Sequence, residues 1–470
     1  MKNNHLIPFL LLPFFVVSAA QADINLIGIG QVSGTYQDMA TKTAAHLENG
    51  VAGNLLGGVG SGLAYAGGNT FLALPDRGPN ATAYNIDVDD TTSYIPRFQT
   101  FSLSLAPNPR YDSSIIGSLP YIVSPFLTDT TLLSSKSQLA YGVNGAPVIN
   151  NEDKFYFSGR SDNFDATKPS TNPKNARLDP EGIRVSNDGE SVFITDEYGP
   201  YVYQFDRSSG KRIKAFTLPA YFAINKLDAQ GAEEISGNTI GRISNKGMEG
   251  LAITPNGKTL VGMMEQNLSQ DTKNYVRIVT IEIATGVTHE YAYKLTDGSG
   301  VSDILAINDH EFLVDERDGS GLGNGDAAVV KKLYKIDLAG ATKISTPTIG
   351  SSTPLVIKTL FVDVLAKLNA NGIPSTHVPA KLEGVAFGPD MVINGVNKHT
   401  LFIAFDNDFL PTVDGIDNPN QFFVFSIDES DLNSFSAQKF SHSTHDEDEE
   451  DCDFTWRQAV NRCHLLLGNQ

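Results

Sequence analysis

Short alternating apolar runs, glycine-bearing turns between them, and one arrangement of acids that returns along the chain predict an all-β fold, a β-propeller of about six four-stranded blades. The clearest unit runs from 178 to 218. Its apolar runs, Ile183 to Val185, Val192 to Ile194, Val202 to Phe205 and Ile213 to Phe216, are parted by Asn187-Asp188-Gly189 and Ser208-Ser209-Gly210. That pattern reads as a four-stranded antiparallel meander. Glu181 precedes the first strand and Asp196-Glu197 close the second. In an antiparallel hairpin the start of one strand lies beside the end of the next, so these three carboxylates gather at one end of the unit.

Taken from the N-terminus, Lys2, the apolar run Leu6 to Val17 and Ala20-Gln21-Ala22 have the layout of a secretory signal, so 1–22 is expected to be cleaved near Ala22. The mature protein is then expected in a bacterial periplasm or in the medium. No later apolar run approaches the roughly 20 residues of a membrane helix. The propeller domain is expected over 23–435. Ile24 to Gly34 reads as a strand that closes the ring by pairing into the last blade, and 35–54 as a surface loop. Blade one starts near Gly58, with Ser61 in the first acid position, Asp76-Arg77 after the second strand and an inserted loop from Asn80 to Pro96. Asn108 to Arg177 is the least regular stretch and reads as one degenerate blade or a pair of partial ones. Blades starting near Asp179, Asn245, Val301 and Lys381 follow, the last ending at Asp428. Their acids recur in place: Glu249 with Glu265, Asp303 with Asp315-Glu316-Arg317-Asp318, and Glu383 with Asp406 and Asp408. The remaining 436–470 form an acidic, solvated tail. It holds the only cysteines, Cys452 and Cys463, which in an oxidising compartment can close a short loop worth about 3 kcal/mol.

With 35 Lys and Arg against 54 Asp and Glu, the formal charge is −19. Nucleic acid and anionic membranes need a basic surface and are excluded as partners. A divalent cation is favoured. The strand-end loops that carry the acids share one face of a propeller, so the acids are expected to ring one mouth of the central channel. Two carboxylates 4 Å apart repel by about 4 kcal/mol at an effective dielectric near 20. Protons or metal ions must relieve that repulsion. Calcium, which takes irregular sets of carboxylate, carbonyl and water oxygens, suits such a mouth, whereas zinc would want nitrogen or sulfur. Arg77 and Arg317, with Lys246 as a third, offer anchors for phosphate or carboxylate. A purely structural reading competes: Glu-Gly pairs as turns, strand-end acids accepting backbone N–H groups, and arginines paired with their neighbours. No G-x-S-x-G elbow is present and Ser61 has no evident base, which disfavours serine-esterase chemistry.

The set GSGLAY with PDRGP, DPEGI with TDEYGP, KGMEGLA with a strand-end Glu, VSDIL with DERDG, and LEGVAFGPD with FDNDF resembles the bacterial "esterase-like activity of phytase" family from about Gly58 to Asp428. The resemblance implies a propeller-like secreted protein that hydrolyses phosphoesters through acidic residues and metal. The expectation is therefore a calcium-assisted phosphoesterase acting on a small phosphorylated substrate. Metal is expected on Glu181, Asp196, Glu197, Glu249, Glu265, Asp315, Glu316, Glu383 and Asp406. Glu181, Glu249, Glu383, Arg77 and Arg317 are the expected catalytic residues, the two arginines stabilising charge on the phosphoryl group. Two alternatives stand beside it: a calcium-dependent lactonase or esterase of the gluconolactonase type, and a non-catalytic ligand-binding propeller with structural calcium.

Overall fold

The computed structural model describes residues 24–441, apart from 80–88, 90, 144 and 200. Five antiparallel sheets are arranged as the blades of a propeller. Blade I comprises Gly62–Tyr65, Thr70–Leu74, Arg97–Pro107 and Tyr121–Leu132. Blade II comprises Pro180–Val185, Ser191–Asp196, Tyr201–Asp206 and Arg212–Thr217. Blade III runs over Met248–Ile253, Thr259–Met264, Tyr275–Glu282 and Thr288–Lys294. Blade IV runs over Gly300–Ala306, Glu311–Arg317, Lys331–Asp337 and Lys358–Asp363. Blade V contains Lys381–Phe387, Val396–Asp406 and Asn420–Asp428, and its outer strand is the N-terminal Ile24–Val32, as the sequence predicts. The first strand of each blade touches the first strands of both neighbours, which closes the ring.

The expected count of six blades is corrected to five by the stretch 108–177. Tyr121–Leu132 is the fourth strand of blade I, paired along its length with Arg97–Pro107. The turn between them, with Pro109, Gly117 and Pro120, is long enough to look like a boundary between units. Beyond it the described chain forms the short pair Ser134–Ser135 and Phe155–Tyr156 and isolated bridges such as Ala140 with Asn175 and Ser158 with Arg177. Its apolar residues Leu133, Leu139, Phe157, Ala176 and Leu178 pack against blades I and II as irregular chain. The segment fills space between blades without making one.

Inner strands are buried on both faces because each blade is covered by two others. Pro180–Val185, Met248–Ile253 and Gly300–Ala306 are buried at every residue, whereas the outer Arg212–Thr217 is largely half-buried or exposed. The recurrent Glu-Gly pairs now have a packing cause. A Cβ on Gly182 would lie 2.8 Å from the Leu251 backbone nitrogen, and one on Gly250 would lie 2.9 Å from the Asp303 carbonyl carbon. Only glycine lets neighbouring inner strands approach that closely. Pairing slips by a bulge at the same place in four blades, between Pro180 and Ile183, Met248 and Gly250, Val301 and Ile304, and Leu382 and Gly384. Bulges re-aim side chains, and here Glu181, Glu249, Asp303 and Glu383 sit on them.

One of these acids turns inward. Asp303 lies fully buried on the axis, 2.9 and 3.0 Å from Arg184 Nη2. Arg184 also donates to the carbonyls of Leu63, Ile183 and Ile304, while Asp303 accepts from the amides of Leu251, Ile304 and Val385. These partners come from the inner strands of all five blades. The C-terminal segment then crosses the face of the propeller away from the acids. Phe435 packs on Phe387 and His399, Ser436 donates to the Ile307 carbonyl, and Gln438 donates to the Val185 carbonyl. Residues 436–441, expected in the tail, thus belong to the propeller. The signal expected over 1–22 and both cysteines lie outside the described residues. No helix among the described residues is long and apolar enough to cross a membrane.

Breaking a buried pair by removing one partner costs about 3–5 kcal/mol. Arg184→Met is therefore expected to lower unfolding stability by about that amount, measured by denaturant titration. Arg184→Met combined with Asp303→Asn should recover part of the loss. A near-neutral single variant would show that the axial pair does not hold the ring.

Candidate functional site at the channel mouth

At the end of the ring opposite the C-terminal segment, an open cavity of about 410 Å³ is lined by Asp76, Arg77, Glu181, Glu197, Lys246, Glu249, Glu265, Arg317, Lys381, Glu383 and Asp408. All five blades contribute from the ends of their second strands, and the bulged acids of blades II, III and V face them across the axis. Three groups of carboxylates have oxygens within 4.8 Å of one another: Asp76, Asp406 and Asp408; Asp179, Glu181 and Glu197; and Glu197, Glu249 and Glu265. The acids expected to meet from distant parts of the sequence do meet.

Each basic side chain at the mouth is engaged by particular acids. Arg77 Nη1 lies 2.5 Å from Asp179 Oδ2, and the Arg77 amide donates to the other Asp179 oxygen at 3.1 Å. Lys246 Nζ bonds both Glu265 oxygens at 2.9 and 3.0 Å. Arg317 pairs with Glu383 and stands 3.9 Å from Glu249 Oε1. Lys381 Nζ is 2.5 Å from Asp408 Oδ1, 3.5 Å from Asp406 Oδ2 and 3.8 Å from Asp76 Oδ2. What remains is uncompensated. Glu181 has no hydrogen bond or ion pair to its carboxylate among the described residues, Glu249 Oε2 is buried without a hydrogen-bond partner, and Glu197 Oε1 accepts only the Gly247 amide, at 2.6 Å.

This surplus of buried acid raises proton affinities. Burial, then repulsion from Asp179 and Glu265, pushes Glu197 up to about 8. Burial lifts Glu181 and Glu249 well above the carboxylate range; Glu249 is the leading charged neighbour acting on Glu181, and Glu197 on Glu249. Asp76 is pushed up to about 6, again chiefly by burial, with Lys381 opposing. Burial alone would lower the Lys381 ammonium, but the surrounding carboxylates hold it well above the ordinary lysine value. Protons or a cation must therefore share the Glu181–Glu197–Glu249 region. The donors are all carboxylate oxygens, the set that hard cations such as calcium and magnesium take. The buried, unpartnered Glu249 oxygen is a ligand atom with nothing bound to it from the protein, so the residues present fit such an ion.

Of the residues expected from sequence, Arg77, Glu181, Glu197, Glu249, Glu265, Arg317 and Glu383 line the mouth, and Asp406 stands in its wall, bonded by Ser61 Oγ at 3.2 Å. Three are placed elsewhere. Asp196 accepts the amides of Asp179 and Tyr198, both at 3.1 Å, and so clips the start of its blade. Glu316 is buried against Lys358, the Tyr293 hydroxyl and the amides of 296–298. Asp315 is fully buried beneath the mouth with neither oxygen hydrogen-bonded, and burial raises its proton affinity strongly. For Asp196 and Glu316 the cause is the pleat, since successive side chains leave a strand on opposite faces, whereas Asp315 shares the face of Arg317 but stands two residues deeper. Of the pair Asp196-Glu197 only Glu197 reaches the mouth, and in Asp315-Glu316-Arg317 only the last.

Asp179 and Lys381 are site residues that sequence reasoning passed over. Both stand two positions before a bulged glutamate, in DPEG and KLEG, and the two-residue period that puts them beside Glu181 and Glu383 is the signal that finds them.

A family model described as "Phytase-like: Esterase-like activity of phytase" matches residues 54–409. An "Uncharacterized secreted protein" of Arthroderma benhamiae is 30% identical over 297 residues, 52% of this chain and 52% of that protein, so the chain spans about half the length of this curated relative. Among solved structures, the periplasmic gluconolactonase of Pseudomonas aeruginosa is 12% identical, covering 80% of this chain and 90% of its own at a TM-score of 0.30. The PQQ-bound aldose sugar dehydrogenase of Streptomyces coelicolor is 10% identical, covering 88% and 97% at a TM-score of 0.31. Likenesses this low say nothing of this chain's chemistry.

An acid whose proton affinity is raised by folding keeps its proton in the folded state after the unfolded chain has lost it. Stability then falls as pH rises from the ordinary carboxylate range to the raised value, about 7 for Asp196 and about 8 for Glu197. The melting temperature of the chelated protein is expected to drop between about pH 5 and about pH 8. Calcium, replacing protons at the mouth, should raise it more at the higher pH. A melting temperature that climbs with pH in the absence of cation would contradict the assignment.

Proposed function

Because the chain belongs to the family described as esterase-like activity of phytase, we propose that its channel mouth is a calcium-dependent phosphoesterase site in a secreted protein. The observation that carries the reading is the uncompensated Glu181, Glu197 and Glu249, members of two carboxylate groups that share Glu197, among basic side chains that are already anchored. A phosphate anion is repelled by a mouth with surplus negative charge and is admitted once a cation offsets it. Glu181, Glu197 and Glu249 would hold that cation, with Glu265 beside them. When bound, it supplies Lewis acidity toward a phosphoryl oxygen and lowers the pKa of a water.

The remaining work falls to side chains. Arg317 is oriented by Glu383 and Ser302, and Arg77 by Asp179 and Asn245, and both lend positive charge to phosphate oxygens, where negative charge grows as the phosphoryl group is attacked. Lys246 and Lys381 add charge from blades III and V. With Oε2 given to the cation, Glu249 Oε1, 3.9 Å from Arg317 Nη2, is the oxygen left to take the proton from the attacking water. Glu383 positions Arg317 and does not touch the reacting atoms.

The test is a panel of phosphomonoester, phosphodiester, phytate and lactone substrates, each with calcium and after chelation. Calcium-dependent phosphoester turnover is expected, lost on chelation and lowered about 100-fold or more in kcat by Glu249→Gln. Phosphoester turnover that survives complete chelation removes the mechanism. Lactone turnover alone would replace the substrate class. Calcium-dependent melting with no turnover of any substrate would make the protein a ligand-binding propeller.

A further inference from the structure

The three carboxylate groups at the mouth are not equivalent. Glu197, Glu249 and Glu265 include a buried oxygen with no partner; of the basic groups beside them, Lys246 is taken up by Glu265 and Arg317 by Glu383. Asp76, Asp406 and Asp408 instead surround the Lys381 ammonium, which stands 3.8, 3.5 and 2.5 Å from one oxygen of each. The nearest of these is a charge contact off the hydrogen-bonding direction, since Asp408 Oδ1 has no aligned donor. Three carboxylates converging without a shared donor axis are what a spherical cation gathers, and calcium–oxygen distances run about 2.3–2.6 Å.

This second group is built into the backbone. Asp408 and Phe409 both adopt left-handed conformations, φ 51° and 55°, which non-glycine residues rarely take unless the surroundings impose them. Buried Asn407 holds the turn: its Oδ1 accepts from the Gly58 and Phe409 amides and its Nδ2 donates to the Asn418 carbonyl. Asp406 is held in turn by Ser61 Oγ and the Asp408 amide, and Asp76 by the Gly78 amide. The acids stay converged for reasons independent of Lys381.

We infer that Lys381 is a tethered cation occupying a second divalent-ion position, so that the mouth takes one metal ion, between blades II and III, and an ammonium in place of another. The inference rests on the cation reading given under Proposed function and deepens it. Hydrolysis at this site then runs with one exchangeable ion, and the ammonium of blade V does the electrostatic work that a second ion does in two-metal sites.

Calcium binding to the mature protein, followed by isothermal titration calorimetry, separates the possibilities without reference to activity. Wild type and Lys381→Arg are expected to bind one calcium at the mouth. Lys381→Met should bind two, with calcium restoring a melting temperature lowered in its absence. Lys381→Met combined with Asp408→Asn should return to one. A wild type that binds two ions, or a Lys381→Met protein that binds one, overturns the inference and leaves the phosphoesterase reading standing. A Lys381→Met protein that calcium does not rescue also overturns it. A wild type that binds none overturns both.

Discussion

The arrangement depends on an ion pair at the axis. Arg184 and Asp303 satisfy backbone groups from the inner strands of all five blades, so closing the ring and burying the pair are one event. Taking two charges out of water is costly unless the remaining donors and acceptors are filled. Here carbonyls and amides fill them, and those groups exist together only when the ring is complete. Glycines at 182, 250 and 384 allow the inner strands to approach, and the bulge beside each turns a glutamate toward the open end. The same local device that tightens the ring supplies the mouth with acid.

Concentrating carboxylates this way has an electrostatic consequence. Two unit charges 4.8 Å apart repel by about 3–4 kcal/mol at an effective dielectric near 20, and several such pairs coincide. Arg77, Lys246, Arg317 and Lys381 offset part of the repulsion from fixed positions. They leave Glu181, Glu197 and Glu249 to be neutralised by something exchangeable, protons or an ion. Binding capacity at the mouth is thus the part of the charge that the fold does not balance for itself.

Much of this was legible in the sequence because it is local. Alternating runs and turns located the strands of blades II to V, and the ring-closing N-terminal strand followed from its apolar run. The recurrence of Glu181, Glu249 and Glu383 before a first strand placed them at one mouth. What escaped the sequence depends on pairing over distance. Tyr121–Leu132 reads equally as the fourth strand of blade I or the start of another, and only its partner decides. The doublets Asp196-Glu197 and Asp315-Glu316 looked like pairs of ligands, but the pleat turns Asp196 and Glu316 away and Asp315 lies too deep to reach the mouth. Arg184 is a lone charge within an apolar strand whose partner lies 119 positions on, and no local pattern links them. Lys381 looked like the start of a strand. Its role emerges only from three aspartates brought in from blade I and the far end of blade V.

The central claim is that the uncompensated glutamates, and not the aspartates around Lys381, receive the ion. Anomalous diffraction from crystals soaked in manganese, as a stand-in for calcium, tests it most directly. One peak bounded by Glu181, Glu197 and Glu249, with the Lys381 ammonium still against Asp408, is the predicted result. A peak among Asp76, Asp406 and Asp408 with Lys381 displaced, or no peak at the mouth at all, would contradict it.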